Sequence, residues 1–192
     1  MADFSMAKFL SPRLPFQIAA AGLGLVAVLL LGLLAVGFFL PGQWEAEREE
    51  WITASADEVY AHLISAEGWS KWTPMPETGF ELDGPEEGAG ARWSWDDPGY
   101  GAGSFTVLDA DPPRRVRYRV EVEGGSLSTE GVLLLEESGG RTRVHWREDG
   151  DFGRNPLLGY MAGRMGEAQS EQMERSLDRL RTLIEESRLE AS

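Results

Sequence analysis

The chain of 192 residues contains no cysteine. That excludes disulfides, thiolate nucleophiles and Cys-ligated zinc together, and leaves the redox compartment open. Histidine is nearly as scarce: His62 and His145 are the only two, too few for a multi-His metal site within one chain. Basic residues are short as well. Lys and Arg number 18 against 32 Asp and Glu, a net charge of −14, which argues against a nucleic-acid partner because phosphate binding needs clustered positive charge. The same balance weakens unspecific adhesion to anionic lipid. There is no internal repeat and no long low-complexity tract. Asp149-Gly-Asp151-Phe-Gly-Arg-Asn155 fails the calcium-loop template, with Gly153 at the fifth position, Arg154 at the sixth and Tyr160 at the twelfth. Gly99-Tyr-Gly101-Ala-Gly103 lacks both the spacing and the following helix of a nucleotide-binding loop.

What the chain does have is one long apolar run, Ile18 to Leu40, without a charged side chain. At 1.5 Å per residue its roughly 23 residues reach about 35 Å, enough to cross a hydrocarbon core of about 30 Å with some tilt. In lipid the backbone must satisfy its own hydrogen bonds, so the run is expected as a helix. The expected layout is a leader over 1–17, a transmembrane helix over 18–40, a juxtamembrane linker over 41–46 and one soluble domain over 47–189. Lys8 and Arg13 precede the run, while Arg48 follows it among Glu45, Glu47, Glu49 and Glu50. The positive-inside rule therefore puts the N-terminus in the cytoplasm and the domain outside. The rival is a cleaved signal peptide using Ala35 and Gly37, but a secretory core is normally about 7–15 residues. Pro41 and Gly42 end the helix, and Trp44 is placed as an interfacial anchor.

Beyond the anchor, Glu47 to Thr53 alternates as a strand. Ser55-Ala-Asp57-Glu58 is a capping box for a helix running through Val59, His62, Leu63 and Ala66. From Phe80 the pattern becomes short strands punctuated by glycine and proline turns, the clearest being Arg115 to Val122, then Leu127 to Leu135 and Arg141 to Glu148. Tight turns between such strands mean antiparallel order. Asn155-Pro156 then starts a long helix to about Leu189, whose second half is amphipathic with Met173, Leu177, Leu180 and Ile184 on one side. The fold class is α+β.

This order resembles the helix-grip fold of the START-like (SRPBCC) superfamily, a curved antiparallel sheet wrapped around a long C-terminal helix. The segments Ile52-Thr-Ala-Ser-Ala-Asp-Glu-Val59-Tyr60 with Gly68-Trp69-Ser-Lys-Trp72 are similar to the opening of its polyketide cyclase/dehydrase and lipid-transport branch. Asp109-Ala-Asp-Pro112-Pro113-Arg-Arg-Val116-Arg-Tyr118 and Gly140-Arg-Thr142-Arg-Val144-His-Trp146 resemble two later segments. The resemblance spans roughly residues 45 to 188 and leaves the anchor outside it. It implies a cavity between sheet and helix that holds an apolar small molecule. It implies no chemistry by itself, since the fold hosts cyclases, lipid carriers and hormone receptors alike.

Period two selects the inward residues. The expected cavity lining is Trp93, Trp95, Phe105, Tyr118, Val120, Leu133, Leu135, Val144 and Trp146 from the strands, faced by Met161 and Met165 from the helix. Tyr118 and Glu148 are the polar exceptions on the inward face, and His62 lies on the inner helix side. These three are the candidates for acid–base work. His145 falls outward by parity, and the Arg stripe of the fifth and seventh strands is expected to pair with Glu130 and Glu136 as a solvated face. The function expected is non-covalent binding of a hydrophobic small molecule or lipid by a membrane-anchored domain, with no cofactor and no nucleic acid. The alternatives are a cyclase or dehydratase in the same cavity, and an interaction or stress-response module with a filled core. Oligomeric state is not legible.

Overall fold

The computed structural model describes residues 13–75, 80–99, 101–125 and 127–190. Lys8 and the first twelve positions of the expected leader lie outside the described residues. The elements run α1 (Arg13–Phe39), β1 (Gln43–Ile52), α2 (Ala56–Ala61), α3 (Ala66–Ser70), β2 (Phe80–Asp83), β3 (Arg92–Asp97), β4 (Gly101–Asp111), β5 (Arg115–Val122), β6 (Leu127–Ser138), β7 (Arg141–Asp151) and α4 (Gly159–Glu190). The seven strands form one antiparallel sheet in the order β1-β7-β6-β5-β4-β3-β2, so the first strand closes against the last. This is the helix-grip arrangement.

Alternation decides the faces. Along β7, Thr142, Val144, Trp146 and Glu148 are buried, while Arg143, His145 and Arg147 point to the other side. That outer side is a ladder of cross-strand ion pairs: Arg119–Glu130 at 2.5 Å, Arg143–Glu136 at 2.6 Å and His145–Glu47 at 2.6 Å. The first is half-buried and the other two exposed, and each contributes little singly, but together they occupy the Arg stripe with partners from neighbouring strands.

α4 covers the inner face. Met173, Leu177, Leu180 and Ile184 are fully buried, each stabilising by about 1.5–3 kcal/mol relative to exposure. Closest approach is to β1, where a Cβ on Gly166 would lie 2.6 Å from the Glu45 carbonyl oxygen. The helix begins at Gly159 rather than Pro156; the Asn155 carboxamide accepts from the Leu157 amide at 3.0 Å and its carbonyl accepts from those of Leu158 and Gly159.

Three expectations change. β1 starts at Gln43, so residues 43–46 belong to the sheet rather than to a linker, and Trp44 is a core residue whose ring lies over Gly150. The helix expected through Ala66 is two short helices. Ser55 caps the first by accepting from the Glu58 amide, and Ser65 caps the second by accepting from the Gly68 amide. The Glu58 carboxylate faces Arg188 at 3.7 Å, away from the reciprocal half of a capping box.

Candidate functional site

Tyr118, Gly131 and Glu148 stand in one row across β5, β6 and β7, since Tyr118 pairs with Gly131 and Gly131 with Glu148. All three project to the inner face. Gly131 has no side chain there, and a Cβ added to it would lie 2.1 Å from the Tyr118 ring. The phenol therefore lies flat over β6 and reaches the carboxylate one strand further on. Its hydroxyl donates to Glu148 Oε1 and accepts from Trp146 Nε1 at 2.7 Å. From the helix, Gln169 Nε2 donates to Glu148 Oε2 at 2.5 Å. Four residues thus form one continuous polar chain, Trp146 to Tyr118 to Glu148 to Gln169.

Burial governs its electrostatics. Desolvation raises the Glu148 carboxyl from its ordinary 4.5 to about 6, against the two hydrogen bonds, which favour its charged form. Tyr118 is pushed well above its usual range by burial first and the neighbouring Glu148 charge second, so it stays a neutral donor.

Around this corner lies an aromatic floor. Trp93 stacks on Phe105 at 4.1 Å and Phe105 on Tyr118 at 4.7 Å, with ring planes within 11°. Trp69 of α3 covers both Phe105 and Tyr118 at 4.8 and 4.9 Å, and Trp72 meets Trp146 at 5.4 Å. The two indoles are pinned by donating to the carbonyls of Leu63 and His62. Such offset and edge contacts add about 0.5–1.5 kcal/mol per pair beyond the buried area.

Between this floor and α4 there is a cavity of about 430 Å³, lined by the β3–β5 residues Trp95, Phe105, Tyr118, Val120 and Val122, by Trp146 and Glu148, and by Trp69, Thr73, Pro74 and Met75. α4 contributes Met165, Gln169, Gln172 and Ser176. The size is at the lower end of the roughly 300–1,000 Å³ of small-molecule sites, and the lining, mostly apolar with a few converging polar groups, is of the kind such sites use.

Of the lining residues expected from sequence, Trp95, Phe105, Tyr118, Val120, Trp146 and Met165 border this cavity, as does Glu148. Trp93, Leu133, Leu135 and Val144 do not: they are packed in the core, because the aromatic floor and the second half of α4 fill the space above them. Met161 does not either. It lies one turn before Met165 and is 57% exposed, while its neighbour Ala162 faces the core. His62 sits at the C-terminal end of α2, outside the lining. Desolvation, followed by the charge of Lys71, holds its imidazole below the usual range, and its carbonyl serves Trp72. Sequence reasoning missed Trp69, Thr73, Pro74, Met75, Gln169, Gln172 and Ser176. The Trp69–Trp72 spacing and the polar positions continuing the Met165 stripe were the available signals. Among the described residues no cluster of His, Asp and Glu suits a metal ion. The Asp149–Asn155 segment is a pair of side-chain-capped turns, Asp151 accepting from Gly153 and Asn155 from Leu157.

Residues 43–185 match the family described as polyketide cyclase / dehydrase and lipid transport. The chain belongs to this family. A search of curated proteins finds no match. Among solved structures, hypothetical protein jhp0584 of Helicobacter pylori is similar with a TM-score of 0.57 and 16% identity, over 72% of this chain and 86% of that one. CalU16 of Micromonospora echinospora is similar with a TM-score of 0.51 and 19% identity, over 77% and 88%. An uncharacterised Rhizobium leguminosarum protein is similar with a TM-score of 0.52 and 17% identity, over 75% and 95%. At these identities the likeness is one of fold. The match begins at Gln43, so α1 is an addition to the family's domain. Residues Ala21–Phe39 are long and apolar enough to cross a membrane, a test that a signal sequence also passes.

Proposed function

We propose that the protein is a membrane-anchored member of this family that holds a hydrophobic small molecule or lipid, non-covalently, beneath α4. The observation that carries the reading is the cavity itself: a mostly apolar space of about 430 Å³ with a hydrogen-bonded polar corner at Tyr118, Glu148 and Gln169. At roughly 25 cal/mol per Å² of apolar area, burying a few hundred Å² of ligand supports micromolar binding after ordering costs. The polar corner would orient the ligand, a hydroxyl or amine donating to Glu148 while the apolar body lies on the aromatic floor. This interior suits the reading better than a filled-core interaction module.

The anchor reading draws support from Gly37. A Cβ there would lie 2.1 Å from the Pro156 carbonyl oxygen, so α1 packs against the segment before α4 through a glycine. Cleavage at Ala35 or Gly37, as a signal peptide requires, would forfeit that contact. Arg13 before the span and the acidic run after it favour the domain on the extracytoplasmic side.

One observation favours a second reading, a cyclase or dehydratase. A carboxyl raised to about 6 beside a neutral phenol is an acid–base pair within a cavity. Glu148 would take a proton from a carbon next to a carbonyl, and Tyr118 would donate to the oxygen on which charge develops.

The full chain in detergent micelles, titrated with anthroyloxy-stearic acid, tests binding through energy transfer from the cavity tryptophans. The expected result is saturable binding of one probe per chain, abolished by Met165→Trp, which fills the cavity. Binding that never saturates, or that survives Met165→Trp unchanged, overturns the reading.

A further inference from the structure

The helical stripe that faces the cavity does not stop at the cavity's edge. Ser176, Gln172, Gln169 and Met165 line the space from α4, and the same stripe continues one turn back to Met161 and is followed by Leu157 in the turn before the helix, the two being 57% and 65% exposed. Two exposed apolar side chains in line with a cavity invite a partner, and the structure indicates which one.

α1 ends at Phe39 and β1 begins at Gln43, so three residues separate the span from the domain. The first turn of α4 is packed directly against the end of α1: the added Cβ of Gly159 would meet Leu40 at 3.0 Å, and Gly37 opposes Pro156 and Tyr160. The Tyr160 hydroxyl donates to the carbonyl of Leu33 at 2.7 Å. Leu33 lies six residues before Phe39, about 9 Å back along the helix axis at 1.5 Å per residue. A helix crossing the bilayer therefore draws Leu157, Tyr160 and Met161 down to the level of its own last two turns. A tyrosine and adjacent apolar side chains at that depth match the composition of a membrane interface. Charge agrees. In a chain of net charge −14, residues 152–166 contain Arg154 and Arg164 and no acidic residue, so this stretch avoids repulsion from anionic headgroups.

We propose that residues 152–166 form a lip seated in the bilayer interface, and that the cavity takes its ligand laterally from the membrane along Leu157, Met161 and Met165. The proposal rests on the ligand-binding and anchor readings above, and its occupant is a bilayer lipid or another apolar molecule dissolved in the bilayer. Loading by this route spares the ligand a passage through water.

The cysteine-free chain allows one label at a time. Leu157→Cys and Met161→Cys, each carrying the polarity-sensitive fluorophore NBD, would be placed with the full chain in phosphatidylcholine vesicles containing nitroxide-labelled acyl chains. Ser138→Cys, at the turn on the far end of the β6–β7 hairpin, is the control. The expected result is blue-shifted, nitroxide-quenched emission at 157 and 161 and neither effect at 138. The rate at which vesicle-dissolved anthroyloxy-stearic acid reaches the cavity tryptophans should fall about tenfold in the Leu157→Asp, Met161→Asp double variant. Its affinity for the probe in micelles should be unchanged, since neither residue lines the cavity. Labels that report water, or a double variant that loads from vesicles at the normal rate, would overturn the lip while leaving the binding reading intact. A chain that fails to bind the probe in micelles overturns the binding reading and the loading route with it. Failure to float with vesicles removes the anchor and the lip together.

Discussion

Glu148 holds a buried carboxyl whose environment works against its charge, and the consequence for stability has a definite sign. Its folded value, about 6, lies above the ordinary 4.5, so the folded state binds this proton more tightly than the unfolded one. The cost of ionisation is absent below about pH 4.5, grows through that window and is complete above about pH 6, where it amounts to about 2 kcal/mol. Glu148→Gln keeps an acceptor for Tyr118 and removes the charge. Denaturant unfolding of both chains should therefore show the variant gaining on the wild type by about 2 kcal/mol between pH 4.5 and neutrality; a difference that stays flat across that range would contradict the assignment. Parity in the sequence already placed Tyr118 and Glu148 on the inner face. Their contact was not legible, because it depends on strand pairing that neither strand encodes alone.

At the level of elements, the sheet creates its polar corner by omission. Gly131 is the place on β6 where a side chain would occupy the volume of the Tyr118 ring. The same device recurs where Trp95 lies over Gly103 and Trp44 over Gly150. Gly131→Ala should force the phenol off Glu148 and cost about 2 kcal/mol or more, from overpacking combined with a lost buried hydrogen bond. In a Tyr118→Ala background the same substitution should cost far less, and a double-mutant cycle with no coupling would contradict the packing argument. The helices show where pattern reading succeeds and where it fails. The second half of α4 has a strong apolar stripe, and Met173, Leu177, Leu180 and Ile184 are buried as that stripe requires. The first half has apolar and small residues too, yet there Ala162 is buried while Met161 is 57% exposed. Trp69 and Trp72 were legible only within the segment Gly68-Trp69-Ser-Lys-Trp72 that resembles the family's opening. Their place over the aromatic floor follows from the tight return at Gly68, whose added Cβ would lie 2.7 Å from the His62 carbonyl oxygen, and from Ser65 beginning a new helix.

At the scale of the whole molecule, the described residues are a family domain joined to one apolar helix by a connection of three residues. The helix-grip order was readable because each strand carries its own alternation and each turn its own glycine or proline. The start of the domain was misplaced by four residues, from Glu47 to Gln43, because the acidic run over β1 hides the inward pair Trp44 and Ala46. The cavity follows from the geometry of the assembly: α4 lies closest to β1, and the space left over β3, β4 and β5 is only partly filled by the indoles of Trp69 and Trp72. Whether that space holds a molecule is the central question, and it is answered most directly by native mass spectrometry of the full chain released from detergent micelles. The account predicts one stoichiometric apolar adduct per chain, either co-purified or acquired from a lipid extract, and lost on cavity filling by Met165→Trp. A chain that stays at its bare polypeptide mass after incubation with the extract would contradict it.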